Sequence, residues 1–134
     1  MILLTGSTGF VGQALLKKLL PKHKIKCVIF RESEFKLKHK NLQVVVGDIT
    51  NKTFVEKVTK NVSCIIHAAA IIDAKNKDIY AVNVEGTRNL VEAAKKQKVN
   101  KFIFISTENI QYNCKDNYTK SKQQAETIVK TLQK

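Results

Sequence analysis

A glycine-rich stretch near the start of the chain decides the fold: Thr5-Gly6-Ser7-Thr8-Gly9-Phe10-Val11-Gly12. It follows an apolar run and opens an amphipathic stretch, which is the context that a dinucleotide-binding turn requires. In such a turn Gly6 lets the chain bend sharply, Gly9 lets the backbone approach a pyrophosphate, and Gly12 lets the helix pack closely on the strand. The N–H groups at the start of the helix then face the anion. The alternative is a tight turn without a ligand, but the place directly after the first strand favours a cofactor held by residues 6–12.

Short apolar runs alternate with helical patterns along the chain. The runs are rich in β-branched residues and comprise Met1–Thr5, Ile25–Phe30, Leu42–Val46, Val62–Ile66 and Lys101–Ile105. Their nearly continuous apolar character is typical of strands that are buried on both faces of a parallel sheet. Strand–helix alternation with short loops predicts an α/β fold, a doubly wound parallel sheet of about five strands with flanking helices.

Three amphipathic helices are predicted between and after these runs. The first carries an apolar stripe formed by Val11, Leu15 and Leu19, and it stops at Pro21. The second covers about 79–98 and the third about 117–132. The 134 residues give room for one ordinary domain, and five glycines with one proline leave no linker to divide the chain.

The net charge of +13 raises the alternative of nucleic-acid binding. All but two of the 24 basic residues are lysine, however, whereas bidentate phosphate recognition favours arginine. The lysines are also spread along the chain, which is typical of solvated helix faces. We therefore expect no nucleic-acid partner.

Composition also bears on the compartment. The three cysteines, Cys27, Cys64 and Cys114, are widely separated and lack CxxC spacing, which argues against disulfides and a metal site. The N-terminal run has no charged region before it and is soon interrupted by glycine, unlike a signal peptide or a membrane helix. These features predict a soluble, cytoplasmic protein.

Further motifs occur in order at the ends of the predicted strands and in the later helices: Gly47-Asp48, His67-Ala68-Ala69-Ala70, Asn83-Val84-Glu85-Gly86-Thr87 and Tyr118-Thr119-Lys120-Ser121-Lys122. With the TGxxGxxG turn they resemble the short-chain dehydrogenase/reductase superfamily, in its extended or atypical, epimerase/dehydratase-like branch. The resemblance covers essentially the whole chain. It implies a single NAD(P)-binding Rossmann domain over residues 1–134 that lacks the C-terminal substrate lobe.

The resemblance also implies roles for residues beyond the glycine turn. Asp48 and the adjoining Ile49 lie on the adenine side, and Ala68, Ala69 and Ala70 leave space beside the cofactor. Asn83 shares a helical stripe with apolar residues, so its amide points at the core and needs partners. In the family this asparagine stabilises the active site, and we count it among the cofactor-binding residues. His67 is interpreted as a structural histidine.

Tyr118 and Lys122 form a YxxxK motif that points to general acid/base chemistry. Residues four apart on a helix lie side by side, and an adjacent ammonium stabilises a phenolate. The alternative is a tyrosine and a lysine on a solvated, lysine-rich helix. In the family the lysine also holds the nicotinamide ribose. The resemblance assigns the third hydroxyl, which orients the substrate oxygen, to Thr107, with Ser106 as the alternative.

Residues after the second run bear on the cofactor. An acidic residue there binds the ribose 2′-OH of NAD, whereas an arginine accommodates the 2′-phosphate of NADP. Arg31 and Ser33 favour NADP and Glu32 favours NAD. We expect NADP, with NAD as the alternative.

Two departures from the family pattern qualify the expected activity. Thr107 and Tyr118 are only 11 positions apart, and the pair Glu108-Asn109 lacks the Asp-Glu of the sugar dehydratases. The chain also stops soon after the YxxxK helix, so the fifth strand is expected at a sheet edge.

We expect hydride transfer between the nicotinamide and a carbonyl or hydroxyl carbon of a small substrate. The alternative is a catalytically silent dinucleotide-binding module, either a fragment or a redox sensor, and the resemblance implies a homodimer through the helices that bear Asn83 and Tyr118.

Overall fold

The computed structural model describes residues 1–31, 35–112 and 114–133. Within them, five strands form one sheet: β1 (Ile2–Thr5), β2 (Ile25–Ile29), β3 (Leu42–Val46), β4 (Cys64–His67) and β5 (Lys101–Phe104). All neighbouring strands are parallel and their order is β3-β2-β1-β4-β5. The doubly wound α/β fold predicted from the sequence is confirmed, with β5 at an edge of the sheet.

The described helices are α1 (Phe10–Leu19), α2 (Lys52–Val58), α3 (Thr87–Lys96) and α4 (Asn117–Lys130). A π-helical segment, Ala81–Gly86, leads directly into α3, and short 3-10 turns lie at Glu108–Tyr112 and Thr131–Gln133. The sequence did not predict α2, which is only seven residues long and begins at an asparagine cap, where the Asn51 side chain accepts a hydrogen bond from the Phe54 N–H. The predicted helices over 79–98 and 117–132 are present to within a few residues.

The core lies on both faces of the sheet. Leu3 and Ile65 face one side, where they pack with residues of α2 and α3 such as Val55 and Leu90. On the other side, Leu4 packs with buried residues of α1 and β2: Leu16, Leu20, Ile25 and Cys27. Because β1 contributes to both clusters, its side chains are apolar on both faces, as a central parallel strand requires.

The predicted apolar stripe of α1 is wrong by one residue. Of the predicted residues Val11, Leu15 and Leu19, the two leucines are half-buried against the core, whereas the fully buried positions are Gly12, Leu16 and Leu20. The rotation follows from Gly12: a Cβ there would overlap the Gly6 carbonyl oxygen and lie 2.7 Å from its carbonyl carbon. The glycine must therefore face the turn of Gly6 and Ser7 that follows β1, and Val11 is left 43% exposed.

In the part of the chain that the structure describes, no helix is long and apolar enough to cross a membrane.

Candidate functional site

A cleft of about 840 Å³ lies at the carboxyl ends of the strands. It is centred on the ends of β1 and β4, the neighbouring pair at which the strand order changes direction. Ligands of open α/β sheets bind at this switch point. Most of the residues predicted from the sequence line the cleft: Gly6, Thr8, Gly9, Phe10, Val11, Gly12, Arg31, Asp48, Ile49, Ala68, Ala69, Ala70, Tyr118 and Lys122.

The glycine-rich turn forms one wall of the cleft through close backbone packing. Gly6 has a φ of +75°, and a Cβ there would lie 2.5 Å from the backbone of Ala68 and of Ala69, so only glycine fits. A Cβ on Gly9, by contrast, would find its nearest neighbour, the Gly6 carbonyl oxygen, at an ordinary 3.4 Å. The protein itself therefore tolerates a side chain at Gly9, and the space beyond that residue opens to the cleft.

The start of α1 suits an anion. Its N-cap is Gly9, and in the described residues no side chain caps the helix and no acidic residue lies in its first turn. The first N–H groups of the helix, which carry the positive end of its dipole, are left for a ligand.

Asp48 and Arg31 stand on the side of the cleft formed by the ends of β3 and β2. One carboxylate oxygen of Asp48 accepts a hydrogen bond of 2.8 Å from the Thr50 N–H, and its other oxygen has no hydrogen-bond partner among the described residues. Arg31 is exposed, and its guanidinium lies 5.7 Å from the centroid of the Phe30 ring. Glu32 and Ser33, which entered the cofactor prediction, lie outside the described residues.

The opposite wall carries Tyr118 and Lys122 on the first turns of α4. This helix begins at Asp116, whose carboxylate accepts from the N–H and hydroxyl of Thr119, and these bonds lower the pKa of Asp116. Tyr118 is half-buried and lines the cleft. The two side chains predicted to meet do line the same wall, although the structure describes no hydrogen bond between them.

Lys122 is held in a nearly dry environment. It is 3% exposed, its ammonium donates to the Ile105 carbonyl oxygen, and Nζ lies 4.0 Å from the centroid of the Phe104 ring. Burial lowers the pKa of Lys122 to about 8 because desolvation disfavours the ammonium. The side chain is thus charged at neutral pH but close to titration.

The two candidate hydroxyls after β5 differ in their surroundings. Thr107 does not line the cleft in the described structure, and its Oγ1 accepts a weak hydrogen bond of 3.4 Å from the Asn109 N–H. Ser106 lines the cleft, and its buried Oγ has no hydrogen-bond partner among the described residues. Ser106, the alternative in the sequence-based prediction, is therefore the hydroxyl that lines the cleft together with Tyr118 and Lys122.

Two other predicted cofactor residues lie behind the cleft rather than on it. Ser7 is fully buried, and neither it nor Asn83 is among the residues that line the cleft. The side-chain oxygen of Asn83, Oδ1, accepts from the Ile71 N–H at 2.7 Å, and the side-chain NH₂ donates at 2.9 Å to the Ile71 carbonyl oxygen and to Ser121 Oγ. Asn83 thus ties the loop after β4 to α4, and its buried amide has the partners that the sequence predicted it would need.

The structure also adds residues to the cleft that the sequence analysis did not name. They include Thr5 and, in the loop after β4, Ile71, Ile72, Asn76 and Asp78. The available signal was position alone, because loops that follow parallel strands gather at one edge of the sheet. Ile72 is an apolar residue exposed at the rim of the cleft.

Comparison with known proteins agrees with this fold and site. The family model described as the 3-beta hydroxysteroid dehydrogenase/isomerase family matches residues 3–114. A 3-beta-hydroxysteroid dehydrogenase of Mycolicibacterium neoaurum is 34% identical over 119 residues, which are 81% of this chain and 32% of that protein. The chain thus spans about a third of the length of this curated relative.

Solved structures give the same fold. A short-chain dehydrogenase/reductase superfamily protein from Agrobacterium tumefaciens, with bound NAD, has a TM-score of 0.87 and 28% identity, covering 100% of this chain and 45% of that chain. The enzyme WbmH of Bordetella bronchiseptica, in complex with NAD+, has a TM-score of 0.86 at 23% identity, covering 97% of this chain and 51% of that chain. The chain belongs to the 3-beta hydroxysteroid dehydrogenase/isomerase family, within the epimerase/dehydratase-like branch of the short-chain dehydrogenases/reductases.

Proposed function

We propose that this chain is the cofactor-binding part of a nicotinamide-dependent oxidoreductase or epimerase-type enzyme, with residues 1–134 acting as a single NAD(P)-binding domain. The observation that carries the proposal is one cleft that joins the glycine turn and the start of α1 to Tyr118 and Lys122. This combination gives an anion site at one end and a proton-transfer pair at the other. Of the relatives described above, one is named a 3-beta-hydroxysteroid dehydrogenase and one was solved with bound NAD.

The residues present fit a dinucleotide. Gly9 leaves room for a pyrophosphate beside the uncapped start of α1, and Asp48 keeps an unengaged carboxylate oxygen for the adenine side. Ala68, Ala69 and Ala70 offer small side chains along the middle of the cleft. Lys122 supplies a cation, and Ser106 a buried hydroxyl without a described partner, at the end where the nicotinamide would lie.

The chain's own residues would move and hold the proton while the bound nicotinamide supplies or accepts the hydride. Tyr118 would act as general acid/base through its phenolic oxygen. The Lys122 ammonium would stabilise the phenolate and bind the ribose. Ser106 lies at the cleft to orient the substrate oxygen, the role that the family resemblance assigns to Thr107.

For the cofactor we propose NADP, with NAD as the alternative. Arg31 lies exposed at the end of β2 on the cleft, where an arginine can accommodate a 2′-phosphate. An Arg31→Ser variant is expected to bind NADPH at least about tenfold more weakly and to keep its affinity for NADH. Equal affinity of the unchanged protein for both dinucleotides would contradict the NADP preference.

The substrate is proposed to be a small molecule whose carbonyl or hydroxyl carbon exchanges a hydride. We also propose that the protein acts in the cytoplasm, because its three cysteines are described as free.

A homodimer through α3 and α4 is proposed from the family resemblance. Sedimentation equilibrium tests it: a monomer at micromolar concentration would contradict the homodimer.

A catalytically silent module is the second candidate. The observation in its favour is that Thr107, the hydroxyl that the family resemblance assigns to the substrate, does not line the cleft with Tyr118 and Lys122 in the described structure. Turnover distinguishes the two candidates. A protein that binds NADPH or NADH but reduces no carbonyl substrate in a broad panel would favour the silent module.

Calorimetric titration with NADPH and NADH tests the proposed binding, and Tyr118→Phe tests the chemistry. The variant is expected to lose at least about a hundredfold in turnover while its cofactor affinity changes less than about threefold, because only the phenolic oxygen is removed. Turnover that survives in Tyr118→Phe would contradict the assigned role of Tyr118. Absence of binding to either dinucleotide at millimolar concentration would contradict both candidates.

A further inference from the structure

His67 is a buried histidine to which the proposed reaction gives no role. It is the last residue of β4, it is 0% exposed, and both ring nitrogens have partners. Nδ1 lies 2.7 Å from the hydroxyl of Thr5 and Nε2 lies 2.9 Å from the hydroxyl of Thr87. Thr5 is the last residue of β1 and opens the glycine turn, whereas Thr87 begins α3.

The surrounding bonds determine which nitrogen carries the proton. The Thr87 hydroxyl donates at 2.7 Å to the Asn83 carbonyl oxygen, so toward the imidazole it can only accept, and Nε2 must be the donor. Nδ1 of a neutral ring is then the acceptor, and it takes the hydroxyl proton of Thr5. The Thr5 oxygen in turn accepts from the Ala69 N–H at 3.3 Å. Every donor has one acceptor in this arrangement.

The neutral form is also the one that the environment favours. Burial lowers the pKa of His67 to about 3, and the ammonium of Lys122 on α4 acts in the same direction. The rings of Phe102 and Phe104 on β5 pack beside the imidazole, with centroids 6.4 Å and 5.6 Å away. A second proton on the ring would face the Thr5 oxygen and break the bond that this oxygen donates.

The bonds through His67 connect parts of both walls of the cleft. On one side, the Thr5 hydroxyl accepts from the Ala69 N–H, and Gly6 packs so closely on the same loop that a Cβ would lie 2.5 Å from its backbone. On the other side, Thr87 holds the Asn83 carbonyl. The side chain of Asn83 then reaches Ser121, whose hydroxyl donates to the Tyr118 carbonyl oxygen at 2.7 Å. A continuous series of contacts thus runs from the glycine turn to the helix of the proposed acid/base.

We propose that His67 is a positioning residue for the dinucleotide: as a neutral imidazole protonated on Nε2, it fixes the glycine turn and the Ala68–Ala70 loop relative to the helix that carries Asn83. This inference rests on the proposed function, because it assigns the cleft to a dinucleotide. It makes cofactor affinity depend on a hydroxyl, that of Thr87, which does not line the cleft.

Substitution at Thr87 tests the coupling with a matched control. Thr87→Val removes the hydroxyl that joins His67 to Asn83 and keeps the shape of the side chain. The control is Thr59→Val. Thr59 directly follows α2 and is as buried as Thr87, and its hydroxyl donates at 2.8 Å to the carbonyl oxygen of Val55 in that helix. Thr87→Val is expected to raise the Kd for the dinucleotide at least about tenfold, whereas Thr59→Val stays within about twofold of the unchanged protein.

Thr87→Ser provides the rescue, since it restores the hydroxyl and is expected to return the Kd to within about threefold. All titrations are made at a temperature well below the thermal unfolding midpoint of each variant. His67→Leu removes the imidazole directly, and Thr87→Val keeps the test decisive if that variant does not fold. Unchanged affinity in a folded Thr87→Val protein would overturn the positioning role alone, whereas a wild-type protein that binds neither dinucleotide would overturn the proposed function and this role with it.

Nitrogen NMR of the protein labelled at histidine gives a readout that does not depend on binding. His67 is expected to show the Nε2–H tautomer and no titration between pH 5 and pH 8. In Thr87→Val this single tautomer is expected to give way to a mixture. A His67 ring that titrates near pH 6.5 or is already averaged between tautomers would overturn the inference.

Discussion

The two walls of the cleft are built in different ways. The glycine turn is shaped by backbone against backbone, since Gly6 and Gly12 leave no room for a Cβ. The wall with Tyr118 is shaped by polar side chains, chiefly the Asn83 amide and the buried ammonium of Lys122. The first wall is therefore fixed by steric exclusion at any pH, whereas the second depends on charge and hydrogen bonds. The first wall therefore suits an anion whose charge does not change during the reaction, and the second wall suits a proton that is transferred in it.

The largest expected effect comes from adding one methyl group to the glycine wall. In Gly12→Ala the new Cβ would overlap the Gly6 carbonyl oxygen, which belongs to the rigid backbone. We expect the free energy of unfolding to fall by about 3 kcal/mol or more, which is enough to unfold a marginal domain. Urea unfolding followed by circular dichroism measures the change.

Gly9→Ala is the matched control for this prediction. Its Cβ would be at 3.4 Å from the nearest atom outside the adjoining residues, and Gly9 has an ordinary φ of −79°. Its stability is expected to change by less than about 1 kcal/mol. Equal losses in Gly12→Ala and Gly9→Ala would show that steric exclusion does not shape this wall.

The next effect tests the polar wall. Asn83→Ala leaves the N–H and carbonyl of Ile71 and the hydroxyl of Ser121 without their partner in a buried region. The expected loss is about 2–4 kcal/mol in the free energy of unfolding. The control is Asn89→Ala on α3, which removes the hydrogen bonds that the Asn89 amide donates to the carbonyl oxygens of Ile49 and Thr50 at 3.0 and 3.1 Å. Asn89 is half-buried, so water can replace its amide. Its loss is expected to be smaller, about 1 kcal/mol.

Lys122 makes the stability of this wall depend on pH. The pKa is lowered from 10.5 to about 8, so between these values the unfolded chain binds more protons than the folded one. Stability from this group therefore rises with pH across that window and is lowest below pH 8. Relative to Lys122→Met, the unchanged protein is expected to gain up to about 3 kcal/mol between pH 8 and pH 10.5. A constant difference between the two proteins over this range would contradict the burial of the ammonium.

The smallest expected effect lies outside both walls. Asn51 caps α2, where its side chain accepts from the Phe54 N–H at 3.0 Å. Asn51→Ala is expected to cost about 1 kcal/mol, and Asn51→Asp to cost little, because aspartate caps equally well. Thermal unfolding measures both, and a loss in Asn51→Ala as large as that of Asn83→Ala would erase the distinction between cap and cleft.

The sequence predicts the glycine wall well because its evidence is local. A strand, three glycines at fixed spacing and a helix fall within the first 20 residues, and each glycine has a steric reason that the structure bears out at Gly6 and Gly12. The burial of Asn83 was equally predictable, since a polar residue on an apolar helical stripe must find partners.

What the sequence missed depends on tertiary packing. The stripe of α1 is rotated because Gly12, not Val11, faces the turn after β1, and a periodic pattern alone does not distinguish neighbouring stripes. The helix α2 has too few residues for a clear period. Ser106 rather than Thr107 lines the cleft because of the path that the chain takes after β5 ends at Phe104. Continued strand alternation would have put Ser106 on the side of Phe104 and so of Lys122.

The central claim is that the cleft binds a dinucleotide with its pyrophosphate beside Gly9, and one calorimetric comparison tests it most directly. NADPH and NADH are titrated into the unchanged protein and into Gly9→Ala, whose fold is first verified by circular dichroism. We predict binding of at least one dinucleotide to the unchanged protein and an increase in Kd of at least about thirtyfold in Gly9→Ala, because the new methyl group occupies the space left for the pyrophosphate. Equal affinity of both proteins, or no binding by the unchanged chain, would contradict the account.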